Sequence, residues 1–367
     1  MMIFNLPRDL LEEILARVPV KSIRAVRSTC KNWNVISKDE RFANKHIGKA
    51  AAREKQYLII GDSMDYLSSV KLYETHNKKF GLSINGKAIS IARDHSDQTL
   101  YISEVFLSNG LLLYVCRNTT SISRLLLWNP YWGKIRWIEC PVYRSFEILA
   151  FGCDKSCGSH KILRLSKDNP DNHMMDIYDL SSDSWRTVDV AFDKNVGSSE
   201  PGLSLKGNTF WCASDNESKD YFLHCFDFTR ERFGPRLPLP PSSYSRYCVF
   251  LSSVKEEKLA VLFSPWSTFG FDIWVTNKIE DPYVVSWSRF FKVETEKTIQ
   301  DIDRGFRSGY FFIDEEKKIT VVFDIYGVTD RSYICSVESG HFRKVNLRPL
   351  SGAFQLVGCY VPSSVQI

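Results

Sequence analysis

The spacing of apolar residues changes once along the chain, near residue 55. Before that point it follows the helical period. Leu10, Leu11, Ile14, Leu15 and Val18 recur at three- and four-residue intervals, which puts them on one face of a helix. Pro7 suits the first turn of that helix, where a missing N–H costs nothing, and Pro19 ends it. Asp9, Glu12 and Glu13 lie early and Arg17 late, the order the helix dipole favours. A second short helix is expected through Ile23, Val26 and Arg27, and a third through Cys30, Trp33 and Ile36. A fourth is expected over residues 39–52, with Phe42, His46 and Ile47 on one side.

Beyond residue 55 the apolar runs shorten and become rich in β-branched and aromatic types. Runs at 57–60, 111–115, 125–128, 210–212, 259–263 and 319–323 read as strands, separated by Gly, Asn, Asp and Ser clusters. Asn85-Gly86 and Asn109-Gly110 are the dipeptides that tight hairpin turns prefer, so both are expected at turns. A weak repeat runs through this region. A strand and a polar turn are followed by a second strand carrying an aromatic anchor: Phe80, Trp137, Trp185, Phe233, Trp287 and Phe342. Successive anchors are 57, 48, 48, 54 and 55 residues apart. Four strands at a period near 50 residues is the pattern of a kelch-like β-propeller blade. The expectation is therefore a short helical unit followed by a propeller of six blades. A two-sheet β-sandwich is the alternative. The segment around residues 355–361 is expected to close the ring against the first blade.

Composition narrows the function classes more than the fold. The 367 residues carry 48 basic and 43 acidic side chains, a net charge of +5, with no long basic run. Nucleic acid is not an expected partner. No apolar run approaches the ~20 residues needed to cross a bilayer, so no membrane partner is expected either. The opening residues 1–9 lack the basic segment of a signal peptide. The ten cysteines are scattered, with no zinc-type double pair. Reduced intracellular thiols follow as the expectation. No metal and no cofactor is implied.

Chemistry is equally sparse. There is no phosphate-binding glycine loop and no His-Glu-x-x-His. Residues 202–206 fall one glycine short of a nucleophile elbow. Asp301 and Asp303 are half a carboxylate pair without a metal loop. His224 and Cys225 are neighbours in a strand pattern, so they face opposite sides. No catalytic residue is nominated.

The N-terminal stretch carries four spaced elements in order: Leu6-Pro7, Ile14-Leu15, Val18-Pro19-Val20-Lys21-Ser22 and Cys30-Lys31-Asn32-Trp33. Together they strongly resemble the F-box. The remainder resembles the plant F-box-associated interaction domain, type one. The matching stretches are Leu107-Ser108-Asn109-Gly110-Leu111-Leu112, the run from Trp128-Asn129-Pro130-Tyr131 to Trp137-Ile138, Ser204 to Trp211, Ile273 to Ile279, and the close from Tyr360 to Ile367. One departure is Trp132, where that family often has Thr before Gly; it is expected to alter a turn and not the function. The resemblance implies an F-box domain over residues 1–47 and a substrate-recognition domain over 55–367. It implies a substrate receptor of an SCF-type cullin–RING ubiquitin ligase, in the cytoplasm, the nucleus or both. The F-box would bind a Skp-family adaptor, and through it cullin and RING subunits, while the β domain would bind a target protein. It implies no chemistry in this chain. A free-standing propeller that binds protein or carbohydrate, or a propeller enzyme, remains the alternative.

Three short helices leave apolar side chains for a partner to cover. Leu6, Pro7, Leu10, Ile14, Leu15, Pro19, Val20, Lys21, Ile23, Val26 and Trp33 are the candidates for adaptor contact and its support. Leu6, Pro7 and Pro19, at helix ends, are the candidates for direct contact; Leu11, Ile14 and Val26 can equally be core. For the target, exposed aromatics at turns are favoured anchors. Tyr131, Trp132, Tyr244 and Trp266 are therefore the candidates, with packing between blades as the competing role.

Overall fold

The structure is a computed structural model. It describes residues 6–18, 20–53, 56–61, 66–74, 80–88, 101–117, 122–140, 147–169, 172–189, 196–197, 201–215, 217–218, 220–241, 247–265, 270–294, 309–324, 331–336, 342–345 and 354–367.

Four helices open the chain: α1 (Arg8–Leu15), α2 (Val20–Arg27), α3 (Lys31–Lys38) and α4 (Glu40–Arg53). Pro7 sits just outside α1 as its N-cap, in extended geometry. Its carbonyl accepts the Leu10 and Leu11 N–H groups, both at 3.1 Å. Cys30 caps α3 by accepting the Trp33 N–H on its sulfur. Asp39 caps α4: its Oδ1 takes the Arg41 N–H at 2.9 Å and the Phe42 N–H at 3.3 Å. Its other oxygen receives Arg8 at 2.7 Å, which ties α1 to the start of α4. Leu11, Leu15, Ala16, Ile23, Ile36, Phe42 and Ala43 form the interior of this unit.

The rest of the described chain pairs into six antiparallel sheets. The first joins Gln56–Gly61, Tyr66–Glu74 and Phe80–Ala88, and gains Phe354–Tyr360 from the far end of the chain. That last strand runs antiparallel to Gln56–Gly61, with Tyr57 opposite Cys359. The second sheet holds Tyr101–Ser108, Leu111–Arg117, Ile122–Asn129 and Lys134–Glu139; the third holds Glu147–Cys153, His160–Asn169, Asn172–Asp179 and Ser184–Val188. The fourth is built on Leu203–Leu205, Asn208–Asp215 and Tyr221–Asp227, with short pieces at Val196–Gly197, Arg232–Phe233 and Leu237–Pro238. Tyr247–Val254, Lys258–Pro265, Gly270–Thr276 and Trp287–Glu294 make the fifth, and Gly309–Asp314, Ile319–Asp324, Arg331–Ser336 and Phe342–Val345 the sixth. This is a β-propeller and not a two-sheet sandwich.

From the second sheet to the sixth, neighbouring sheets stack face to face and bury the side chains between them. Phe106 and Leu127 of the second sheet pack with Phe151 and Ile162 of the third. Ala150 and Leu163 of the third meet Trp211 and Phe226 of the fourth. Phe271 and Phe291 of the fifth meet Phe311 and Val322 of the sixth. Two of the aromatic anchors, Trp185 and Trp287, pack between neighbouring sheets as expected; the side chains of Phe80 and Phe342 lie outside the description. Trp185, on an outer strand, packs with the second sheet and donates its indole N–H to the Glu139 carbonyl at 2.9 Å. Trp287, two sheets on, repeats the bond to the Pro238 carbonyl at 2.9 Å. Each joins its sheet to the one before it by an apolar ring and one polar bond.

One turn expectation is overturned. Asn85-Gly86 lies inside Phe80–Ala88, where Asn85 faces Ser69 and Gly86 faces Ser68. The ladder with Tyr66–Glu74 runs unbroken over nine residue pairs, and continued pairing overrides the local turn preference. Asn109-Gly110, in contrast, turns as expected, with φ of 46° and 74°. Gly110 also has no room for a side chain: a Cβ there would lie 2.3 Å from the Val361 carbonyl oxygen.

Candidate functional site: the helical face and its seat on the β domain

Helix α1 divides its apolar residues between two faces. Leu11 and Leu15 point inward and are buried. Leu6, Leu10 and Ile14 follow each other at four-residue intervals and are 36%, 52% and 44% exposed. Pro7 beside them is exposed too. Val35 of α3, 66% exposed, adds a further apolar group to the surface of the helical unit. Exposed apolar residues aligned in a stripe are the usual mark of a contact surface.

The candidates for adaptor contact therefore separate by depth. Leu6, Pro7, Leu10 and Ile14 stand on the surface. Leu15 and Ile23 are fully buried and can only support it. Val26 and Trp33 are half-buried against the interior cluster. Pro19 lies outside the described residues; Val20 and Lys21 belong to the backbone of α2, and their side chains lie outside the description. Sequence reasoning missed Val35. The signal was present, since the Cys30, Trp33, Ile36 stripe leaves Val35 on another side of the helix.

The surface is framed by charge. Arg8 bonds Glu12 at 2.8 Å and Asp39 at 2.7 Å. Glu13 draws in Lys49 at 2.6 Å and Lys45 at 3.4 Å, and its carboxyl is held below the usual range chiefly by the Lys49 hydrogen bond.

The helical unit rests on one turn of the second sheet, residues 129–133. Asn129 organises that turn. Its side-chain oxygen accepts the Tyr131 N–H at 2.9 Å and the Trp132 N–H at 3.3 Å. Its amide donates to the carbonyls of Ser363, at 3.1 Å, and Val365, at 2.6 Å. Gly133 closes the turn at φ +66°, bonding the Asn129 carbonyl at 2.7 Å. Tyr131 enters the helical core and is fully buried. Its hydroxyl meets His46 Nδ1 at 3.2 Å, while His46 Nε2 reaches the Val18 carbonyl at 2.6 Å. A carbonyl only accepts, so Nε2 carries a proton; in the neutral ring Nδ1 then accepts from the phenol. Burial pushes the Tyr131 hydroxyl up to about 12. Trp132 stands edge-on to Tyr131, donates its indole N–H to the Ser364 carbonyl at 2.9 Å, and lies under the Arg27 guanidinium.

This arrangement corrects one target-binding candidate: Tyr131 is fully buried and has no surface left for a target. Trp132 is half-buried, its indole N–H given to the Ser364 carbonyl and its face to Arg27. The physical reason for Tyr131 is size: a large ring at a turn beside an apolar core is buried in it. Tyr244 and Trp266 lie outside the described residues.

No catalytic constellation comes together among the described residues. His224 stacks on Phe233 with ring centres 4.8 Å apart, while Cys225 faces the cluster on the other side of its strand. Ser204 gives its hydroxyl to the Phe151 carbonyl. Asp301 and Asp303 lie outside the described residues. Among the described residues no His/Cys/Asp/Glu group could hold a metal, and no helix is long and apolar enough to cross a membrane.

Helical unit, propeller and joint together define an F-box protein of the propeller class. Residues 3–45 match the F-box domain and residues 56–367 match the F-box associated beta propeller domain. The chain belongs to that family. Its relatives in Arabidopsis thaliana include the F-box protein At3g20690, 44% identical over 379 residues that span 100% of both chains. The F-box/kelch-repeat protein At3g16740 is 42% identical over 397 residues, covering 100% of this chain and 99% of the relative.

Proposed function

We propose that this chain is the substrate-recognition subunit of an SCF-type cullin–RING ubiquitin ligase and carries no chemistry itself. The observation that supports this most directly is the exposed Leu6, Leu10, Ile14 stripe on a helical unit braced against a propeller. Covering such a stripe with a Skp-family adaptor removes apolar surface from water at about 25 cal/mol per Å². Cullin and RING subunits would join through that adaptor. We further propose that the six sheets are blades of one closed ring, with Phe354–Tyr360 completing the first, and that the protein works in the cytoplasm, the nucleus or both.

Strand alternation suggests where a target would bind. In the second sheet, the turn after the first strand and the turn that carries Tyr131 share one edge. The connections between sheets, and those between second and third strands, leave from the other edge. Of the described residues, 168–169, 172–173, 196–197 and 217–218 fall on that far side, whereas 154–160 fall on the helical side. Loops vary without disturbing the sheets, which suits a target-reading face.

Co-elution with a purified Skp-family adaptor tests the reading. One-to-one binding that is lost on deleting residues 1–45 is the expected result. A stable, monodisperse full chain that ignores the adaptor would overturn it.

A further inference from the structure

The first hairpin of the fifth sheet turns through Lys255 and Glu256, both at φ 54°, and closes with the Glu257 N–H on the Val254 carbonyl at 3.0 Å. These are the angles of a type I′ turn, whose central places normally fall to Asn and Gly. Here two long charged residues occupy them, at a conformational cost. The turn carries Glu256 into a cavity of about 60 Å³. Ser108 and Asn109 of the second sheet and Ser204 and Lys206 of the fourth form other walls. Three sheets thus converge on it, each through the hairpin between its first two full strands. One water needs roughly 10–15 Å³ by the same measure, so the space admits a side-chain head group.

Three lysines near this cavity are ion-paired, and a fourth, Lys206 in its wall, meets a carbonyl. Lys255 pairs with Glu316 at 3.0 Å, Lys258 with Glu315 at 2.6 Å and Lys278 with Glu257 at 2.7 Å. Lys206 donates to the Ile279 carbonyl at 2.7 Å. Among the described residues Glu256 has neither an ion pair nor a hydrogen bond. Burial pushes its carboxyl up to about 7. The Ser108 hydroxyl, in the same wall, is buried and also lacks a partner among the described residues. A half-buried carboxylate without a counter-ion is less favourable alone than beside a cation.

The geometry points to this cavity as a receptor for a basic side chain of a partner polypeptide, arginine ahead of lysine, with Glu256 as the counter-ion and Ser108 as a second acceptor. Arginine is preferred because its guanidinium is weakly hydrated and offers several donors in one plane. This goes beyond the ligase reading and does not depend on it, since neither the helical unit nor an adaptor enters the test. The groups facing Glu256 make its pH response its own. Tyr360, buried and within electrostatic reach, has its hydroxyl raised by burial and stays neutral near pH 7. Lys206 lies in the same wall; Lys255, raised chiefly by its bond to Glu316, stays positive there, and Glu257, lowered chiefly by its bond to Lys278, stays negative.

Saturation-transfer NMR on the full chain, with the blocked tripeptide Gly-Arg-Gly and its citrulline counterpart, is the test. The arginine peptide is expected to receive saturation and the neutral citrulline peptide is not. The arginine response should rise about tenfold between roughly pH 6 and pH 8 as Glu256 ionises. Glu256→Gln should lower it about tenfold and flatten its pH dependence. Ser108→Ala should weaken it about twofold or more, an independent check should Glu256→Gln fail to fold. Equal responses to the two peptides, or an unchanged response in a folded Glu256→Gln chain, would overturn the assignment.

Discussion

Arg27 of α2 holds its guanidinium carbon 4.5 Å from the centre of the Trp132 ring, and its NH1 donates to the Tyr131 carbonyl at 3.2 Å. The remaining donors of the same side chain reach Ser37 of α3, at 3.3 Å for its hydroxyl and 3.2 Å for its carbonyl. One arginine therefore binds two helices to each other and both to the propeller. Arg27→Ala is expected to cost about 1–3 kcal/mol, the sum of a partly desolvated cation–π contact and charged hydrogen bonds. Arg27→Lys should recover only part of that, because a point charge cannot serve three acceptors in one plane. Urea unfolding followed by helical circular dichroism would read both losses.

Tyr131 should separate packing from hydrogen bonding. Tyr131→Phe keeps the ring and gives up the bond to His46, at about 1 kcal/mol. Tyr131→Ala opens a cavity in the helical core, at about 3–5 kcal/mol. Hydrogen exchange should show faster opening of α4 in the alanine variant, with the fifth-sheet amides unchanged. Uniform loss of protection across the propeller would mean that the joint is not a separate unit of stability.

The two faces of α1 should respond in opposite ways. Leu10→Ala and Ile14→Ala remove exposed groups, so each should change stability by no more than about 0.5 kcal/mol. On the proposed function, each should weaken adaptor binding by about tenfold. Leu15→Ala, one residue from Ile14, should cost about 2–5 kcal/mol of stability, and any loss of binding would follow from unfolding. Isothermal titration beside thermal melts distinguishes the patterns.

Glu256 gives the fold a pH dependence of known sign. Its carboxyl titrates at about 7 when folded, against 4.5 for an ordinary glutamate. Below the lower value both states are protonated and the residue contributes nothing. Between the two values the unfolded chain loses its proton while the folded chain keeps it, so this group lowers stability as pH rises. Above about 7 the penalty is constant. Glu256→Gln should therefore be neutral at low pH and stabilising by on the order of 1–3 kcal/mol at pH 8. Denaturant midpoints across that range check it; a gain that grows toward acid pH would contradict the burial of this carboxyl.

Much of this architecture is local and was legible from residue spacing. The helical period of Leu10, Leu11, Ile14 and Leu15 places α1, and Trp185 and Trp287 mark the third and fifth sheets because each solves the same stacking problem against the sheet before it. The Asn109-Gly110 turn was equally readable, since its backbone angles suit few other residues. Asn85-Gly86 reads the same way and is not a turn, because a nine-residue ladder outweighs a two-residue preference.

The sequence by itself determined that a helical head precedes a strand repeat, and that the head carries more apolar residues than its own core can hold. Only the tertiary structure decided which of them are left outside. Leu10 and Leu11 are neighbours of one type, and their fates differ because a helix turns about 100° between them while the core lies on one side. Tyr131 and Trp132 show the same limit at longer range. Their ring size said that they would be buried or would bind something. That the burying surface is the helical head, about a hundred residues earlier in the chain, follows from a contact no local pattern encodes.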